Sequence, residues 1–280
     1  MAETKYLSDK VANIIFSDES CRDYLVSVVS SALNLDKDLV SSNLRLVSSR
    51  VNSNVNVKYN YLDNIFENDV SIINLEVNYF KTKETDMKNL SYVCHMVLKQ
   101  TKPGNRYNLK PVYQININNY DVYGKNEFIY HSYLMDDKYH LRRNNFIQIT
   151  DINVDFLAKL DYNKIKMRKD SLEKLLYIFI CYDKEKLDKL YLGDRIMDSV
   201  RNKLTYVTED FPETIYYNRE EYEERVAYEL GMQDGLEKGI KEGMANTKLE
   251  LAKSMLEDKV SIEKIMKYTN LTKEEIESLK

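Results

Sequence analysis

Apolar side chains recur at every second position along two neighbouring segments, and this alternation constrains the fold more than any other feature of the chain. The first segment is Val55 to Tyr61, and the second is Leu75 to Phe80. Alternation with a period of two is typical of a strand that buries one face. Between the segments lies Glu67-Asn68-Asp69, a strong turn signal. The sequence therefore predicts an antiparallel hairpin.

Other segments have helical or strand periodicity. The spacing of apolar residues predicts helices over Asp9 to Phe16, Cys21 to Leu33, Thr82 to Gln100, Lys164 to Cys181 and Lys184 to Lys203. Three more strands are predicted over Val112 to Ile117, Glu127 to Leu134 and Phe146 to Ile152. Strands that alternate with helices, and are then followed by helices, indicate an α/β fold.

A domain boundary is expected near Phe211-Pro212, which separates a domain of residues 1–212 from a helical tail of residues 213–280. The tail carries glycines at a strict spacing of four: Gly231, Gly235, Gly239 and Gly243. Each glycine weakens a helix by about 1 kcal/mol relative to alanine. Two explanations stay open at this point: close approach of a second helix, which would make the protein a homo-oligomer, or a weak helical linker.

The chain ends in short helices with clear start signals. Ser261 precedes Ile262 to Tyr268, and Thr272 to Glu275 forms a capping box that opens the last helix. A small helical module is expected to bury Leu251, Met255, Val260, Ile262, Ile265, Leu271, Ile276 and Leu279. Its arrangement resembles half of a helix-turn-helix, but the acidic final helix argues against contact with the major groove.

Composition excludes some classes of protein. The net charge of −4 divides into −5 for the tail and +1 for the rest, so any contact with DNA phosphates must come from a local patch. The three cysteines and three histidines show no disulfide or zinc pattern. No segment has the roughly 20 apolar residues of a membrane helix, and the N-terminus lacks the layout of a secretory signal. A cytoplasmic protein without a membrane partner is expected.

The hairpin is where a metal site is expected. A two-residue turn at Asn68-Asp69 would pair Asp63 with Asn74, diagonally beside Glu76. Carboxylates at that spacing suit Mg²⁺, which prefers oxygen ligands and can promote phosphodiester hydrolysis. Acidic residues on both strands of a half-exposed hairpin are also ordinary, and spacing alone does not separate the two interpretations.

The order of motifs along most of the chain resembles the Rpn-type recombination-promoting nuclease family, which is transposase-like and belongs to the PD-(D/E)XK superfamily. The hairpin strands Leu62-Asp63 and Ile73 to Asn78 resemble the segments that carry the family's aspartate and its Glu/Asp-x-Lys or Glu-x-Gln motif. The opening Leu7 to Phe16, the passage Gly104 to Ile115 and the glycine-spaced tail are similar as well. The resemblance implies a restriction-endonuclease-like core, a mixed sheet flanked by helices, with a helical C-terminal extension.

The resemblance also implies roles for individual residues. Asp63 and Glu76 would bind Mg²⁺ or Mn²⁺, Asp9 would assist, and Asn78, which replaces the family's Gln or Lys, would orient the attacking water. An alternative register places Asn56 where the family has its aspartate, which would remove one carboxylate from the site. Basic groups that would meet DNA phosphates are Lys81, Lys83 and Lys88.

Two functions follow as hypotheses. The first is a metal-dependent DNA endonuclease that promotes recombination or acts on mobile or foreign DNA. The second is a catalytically inactive module with the nuclease fold, which binds DNA or a protein partner and self-associates through its tail.

Overall fold

The structure is a computed structural model, and it describes residues 3–4, 7, 9–47, 64–79, 81, 84–101, 108–168, 171–181, 183–210, 216–217 and 219–279. The chain divides into two compact units, one of residues Ala2–Tyr217 and the other of residues Asn218–Lys280.

The first unit is built on a six-stranded mixed sheet. Its strands are β2 (Arg45–Val47), β3 (Asn64–Glu67), β4 (Ile72–Asn78), β5 (Val112–Asn118), β6 (Ile129–Tyr133) and β7 (Ile147–Asn153). They lie in the order β2-β3-β4-β5-β7-β6. The central strands β4, β5 and β7 are parallel, and the outer pairs are antiparallel. A separate two-stranded sheet joins β1 (Glu3–Thr4) to β8 (Tyr216–Tyr217).

Helices surround this sheet. Those of the first unit are α1 (Asp9–Ser17), α2 (Arg22–Leu33), α3 (Lys37–Ser41), α4 (Thr85–Leu98), α5 (Asp155–Ala158), α6 (Tyr162–Met167), α7 (Leu172–Leu176), α8 (Lys184–Leu190) and α9 (Arg195–Asp210). The mixed sheet with flanking helices confirms the expected α/β class.

The predicted turn between two antiparallel strands is confirmed, because β3 and β4 form a hairpin across it. The connection has four residues rather than two, since Glu67 pairs with Ile72 and Asn68 to Ser71 lie between them. The Asn68 carboxamide oxygen accepts hydrogen bonds from the backbone N–H groups of Val70 (3.0 Å) and Ser71 (2.7 Å), which closes the longer turn. The predicted strand Val55 to Tyr61 lies outside the described residues.

The two faces of the sheet differ in character. Leu75 and Val77 of β4 point into the main hydrophobic core, with α1 and α2 on that side. On the opposite face the strands begin apolar, at Ile72 and Val112, and these residues pack with Tyr92, Val93 and Met96 of α4. Towards the carboxyl ends of the parallel strands this second face becomes polar while it stays buried. The candidate site lies on this polar part.

The two long helices predicted after residue 164 are each divided in the structure. The Ser171 hydroxyl caps α7 by accepting from the Lys174 N–H (3.2 Å), so a new helix begins inside the first predicted span. Between α8 and α9, Gly193 has φ +75°, a left-handed conformation that glycine adopts without strain. Local capping and turn residues therefore override the continuous apolar periodicity.

The second unit consists of a 39-residue helix, α10 (Arg219–Glu257), followed by α11 (Ile262–Thr269) and α12 (Lys273–Glu277). The predicted capping box between Thr272 and Glu275 is present at the start of α12. Ala252, Ile265 and Ile276 form the centre of the small helical module. The expectation that Leu251 would be buried is wrong, because it is 45% exposed and its neighbour Ala252 faces the module instead.

Candidate functional site

Glu76 lies in the middle of β4 and is the centre of the candidate site. Its side chain is 1% exposed, and it points to the face opposite Leu75 and Val77. Alternation along the strand places Asn74 and Asn78 on the same face, where both are buried too. The expected direction of these side chains is confirmed, but the expected half-exposed hairpin is not, because α4 covers this face.

Helix α4 brings a positive charge to the buried carboxylate. The Lys88 Nζ atom lies 3.2 Å from Glu76 Oε2 and 5.3 Å from the centre of the Tyr92 ring. Burial acts to lower the pKa of the Lys88 ammonium, but the Glu76 carboxylate and the Tyr92 side chain raise it, and the net shift is upward. Lys88 is therefore a cation at neutral pH. Its side chain is 42% exposed, so it connects the buried carboxylate with solvent.

A chain of side-chain amides runs across the sheet from Glu76. Asn74 Nδ2 donates to Glu76 Oε1 (3.3 Å) and to Gln114 Oε1 (2.9 Å). Gln114 Nε2 donates in turn to Asn116 Oδ1 (2.8 Å), and Asn116 Nδ2 donates to Asp151 Oδ1 (2.9 Å). The parallel register of β4, β5 and β7 makes this possible, because it aligns Glu76, Asn116 and Asp151 in one row.

The next row of the sheet reaches the same acceptor. Asn78 Nδ2 donates to Asn118 Oδ1 (3.1 Å), and Asn118 Nδ2 donates to Asp151 Oδ1 (3.1 Å). The amide of Asn78, expected to orient the attacking water, is thus engaged on its N–H side with β5. Two hydrogen-bonded series of buried amides, one through Asn116 and one through Asn118, therefore end on the same atom, Asp151 Oδ1.

Asp151 is a buried carboxylate that sequence reasoning missed. It is 6% exposed, and burial raises its pKa in spite of the hydrogen bonds from Asn116 and Asn118, which lower it. Neighbouring strands lie about 4.8 Å apart, so the backbones of Asp151 and Glu76 are about 10 Å from each other across β5. A signal was present in the alternation of Asp151 and Asn153 with apolar Ile152 in a segment predicted as a strand.

The donor set around Glu76 suits a hard divalent cation. The Asn74 Oδ1 atom is buried and has no hydrogen-bond partner among the described residues. A carboxylate and an amide oxygen without a donor are ligands of the kind that Mg²⁺ and Mn²⁺ accept. Within the described part of the chain no group of three or more His, Cys, Asp or Glu side chains is placed to hold a metal.

Several predicted site residues lie beyond this description. Asp63, its alternative Asn56, and Lys83 are outside the described residues. Asp9 begins α1, but the position of its side chain is not described. The predicted pairing of Asp63 with Asn74 is wrong, because Asn74 is paired with Ile65. The longer turn shifts the register by two residues, which keeps the same side chains on the same face.

The predicted basic residues occupy different surroundings. Lys88 is beside Glu76, whereas the Lys81 ammonium donates to the Val122 carbonyl (2.7 Å). Lys81 also lies near enough to Asp151 to lower the pKa of that carboxyl slightly, although burial outweighs it.

Comparison with protein families identifies the fold. A family model described as PD-(D/E)XK nuclease family transposase matches residues 7–239. The chain belongs to this family. The match covers the sheet, α4 and the first part of α10, and it assigns the mixed sheet with its helices to the restriction-endonuclease-like α/β fold. No curated protein and no solved structure matches.

Family membership supports a nuclease-type function and contact with DNA. PD-(D/E)XK nucleases generally use divalent metal ions, which agrees with the oxygen donors at Glu76 and Asn74. Among the helices that the structure describes, none is both long and apolar enough to cross a membrane.

Proposed function

We propose that this protein is a metal-dependent DNA endonuclease that hydrolyses phosphodiester bonds, in recombination or in attack on mobile or foreign DNA. The supporting observation is the buried Glu76 carboxylate, which is held by Lys88 and Asn74 in the fold of a nuclease family. Because burial of a carboxylate costs free energy even when it is paired, a buried Glu76 is better explained by a function than by stability. A cytoplasmic location, where DNA is accessible, is part of the proposal.

Glu76 and the Asn74 amide oxygen would hold the cation, Mg²⁺ or Mn²⁺, and Asp63 would add a second carboxylate. A bound ion would activate water and reduce the negative charge of the phosphate. The chain fixes the Glu76 carboxylate through Lys88 and Asn74, and α4 shields it from bulk water. In the net reaction water adds its oxygen to phosphorus, one P–O ester bond breaks, and the leaving oxygen takes a proton. Asn78 and Asp9 would position the attacking water.

Plasmid cleavage tests this proposal. Purified protein with supercoiled plasmid and Mg²⁺ or Mn²⁺ is expected to give nicked or linear DNA, and EDTA is expected to abolish the reaction. Glu76→Ala should lower the cleavage rate at least about 100-fold, because loss of an outer-shell partner alone costs about 10–100-fold in metal sites. Gel quantification over time measures the rate.

Glu67→Ala is the matched control. Glu67 is also a carboxylate of the hairpin, paired with Lys110 at 2.8 Å, but it lies in the neighbouring strand opposite Ile72, four residues before Glu76 along β4. Its cleavage rate should stay within about 3-fold of the unmodified protein, the range expected for a surface ion pair. Equal loss in both variants, or cleavage that survives EDTA, would contradict the assignment of Glu76.

A second function is favoured by Asn78, because it stands where the family motif has Gln or Lys, its side chain is shorter than either, and its N–H donates to Asn118. In this alternative the protein is a catalytically inactive module that binds DNA or a protein partner. Absence of cleavage by folded protein, across metals and salt concentrations, together with retained binding to duplex DNA, would support this alternative against the nuclease.

Self-association through α10 is a further part of the proposal. Each of the four glycines is followed by an apolar residue that is at least half exposed: Met232, Leu236, Ile240 and Met244. A Cβ atom added at any of these glycines would meet no described atom of the chain within 4 Å. Packing against the described residues therefore gives no reason for the glycines, whereas close approach of α10 from a second copy would.

Replacing Gly235 and Gly239 together by alanine tests this idea. The helix should become more stable by about 1 kcal/mol per substitution, and circular dichroism should show equal or higher helix content. If two copies pack through the glycines, the added methyl groups should nevertheless shift the protein towards monomer in analytical ultracentrifugation. An unchanged oligomeric state would contradict packing through this face.

A further inference from the structure

The candidate site takes its positive charge from a helix rather than from the strand. The strand position two residues after Glu76 holds Asn78, a neutral amide whose Nδ2 is committed to Asn118 at 3.1 Å. The ammonium group of Lys88, from α4, lies 3.2 Å from the Glu76 carboxylate. A phosphate that approaches Glu76 would therefore meet a lysine that is not part of the strand motif.

Lys88 lies at a position of α4 where the helix itself does not favour a cation. It lies in the first turn of the helix, which begins at Thr85. The N-terminal end of a helix carries a partial positive charge, so a lysine there is unfavourable by about 0.3–1 kcal/mol. The ion pair with Glu76 and the contact with the Tyr92 ring, one turn later, hold the side chain in place. The cation is therefore held at this position by the candidate site rather than by the helix.

The side chains of Lys88 and Glu76 differ strongly in their exposure to solvent. Glu76 is 1% exposed, whereas the Lys88 side chain is 42% exposed. The ammonium group is thus the solvent-accessible partner of a buried carboxylate. A phosphate that approaches the pair from the side of Lys88 meets the ammonium group first.

We infer that Lys88 is the catalytic cation of this nuclease, contacting the scissile phosphate and stabilising the negative charge that develops as water adds to phosphorus. The inference rests on the proposed function. Lys88 keeps its protons throughout: the water oxygen bonds to phosphorus, the bond to the leaving oxygen breaks, and the protons pass to solvent and to the leaving oxygen. A fixed positive charge at such a position contributes most when negative charge develops in the transition state.

Lys88→Gln is the decisive variant, because glutamine retains an N–H donor for Glu76 but carries no charge. We expect kcat for cleavage of a duplex oligonucleotide with Mg²⁺ to fall about 100-fold, as for loss of one preorganised group in other active sites. KM, and the affinity for the same duplex in EDTA measured by fluorescence anisotropy, should change less than about 3-fold. Lys88→Arg should recover at least about 10-fold of the lost kcat, since it restores the charge.

A second measurement does not depend on activity. The Lys88 charge repels a cation at Glu76, so Lys88→Gln should bind Mg²⁺ about 10-fold more tightly in calorimetry without DNA. A lysine that merely supports Glu76 would give the opposite result, weaker Mg²⁺ binding. Lys99→Gln, at the far end of the same helix, is the control and should match the unmodified protein in both assays.

The outcomes distinguish failure of the proposed nuclease function from failure of the role assigned to Lys88. If the unmodified protein cuts no DNA, the proposed function fails and this inference fails with it. If the unmodified protein cuts and Lys88→Gln cuts within about 3-fold of its kcat, only the role of Lys88 is refuted. Equal loss in the Arg and Gln variants, or weaker Mg²⁺ binding by the Gln variant, would also refute it.

Discussion

Lys88→Met is expected to lower the free energy of unfolding by about 3 kcal/mol at pH 7. Removal of one partner of a buried ion pair costs about 3–5 kcal/mol, and the exposure of the Lys88 side chain places this pair at the lower end. The Glu76 carboxylate cannot move to water, because it is 1% exposed in the centre of the sheet. Urea denaturation followed by circular dichroism measures the change.

Substitution of the other partner, Glu76, should lower the free energy of unfolding much less. In Glu76→Gln the Lys88 ammonium can turn towards solvent, so about 1 kcal/mol is expected, the usual net contribution of one hydrogen bond. The double variant should be more stable than the sum of the single changes predicts, because it leaves no buried charge without a counterion. A cost that is equal for both single variants would contradict the ion pair.

The α/β fold could be predicted from the sequence, because its strongest patterns correspond to a strand and a turn of the structure. The alternation from Leu75 onwards is the alternation of β4 between two buried faces, and the turn signal at Asn68 is the turn of the β3–β4 hairpin. Helix ends were predicted less well. Ser171 and Gly193 interrupt apolar patterns that continue through them, so capping and turn residues rather than periodicity decide where these helices end.

The candidate site was predictable only in part. Glu76 was found because the family motif marks it, and its direction follows from strand periodicity. From the sequence, Lys88 is only one of three lysines that would meet DNA phosphates, because sequence spacing does not show that α4 folds back over the polar face of β4. Asp151 was missed for a related reason: its connection to Glu76 passes through Asn74, Gln114 and Asn116, and it depends on the register of three parallel strands.

Asp151→Leu is expected to destabilise the protein by about 2–6 kcal/mol. The Asn116 and Asn118 amides both donate to Asp151 Oδ1, at 2.9 and 3.1 Å, and leucine provides no acceptor for either of them. Each buried donor that loses its partner costs about 1–3 kcal/mol. Asp151→Asn is the matched variant, since its Oδ1 atom can accept both hydrogen bonds without a charge.

The asparagine variant also has a defined pH dependence. Burial raises the pKa of Asp151, so the folded chain binds this proton more tightly than the unfolded chain. The contribution of Asp151 to stability is then greatest below its unfolded pKa of about 3.9 and is lost as the pH rises through the folded pKa. Asparagine does not titrate. The stability of Asp151→Asn relative to the unmodified protein should therefore increase between about pH 4 and pH 7. A relative stability that falls over this range in urea denaturation would mean that the amide network stabilises the ionised carboxylate, and that Asp151 carries its charge in the folded protein at little cost.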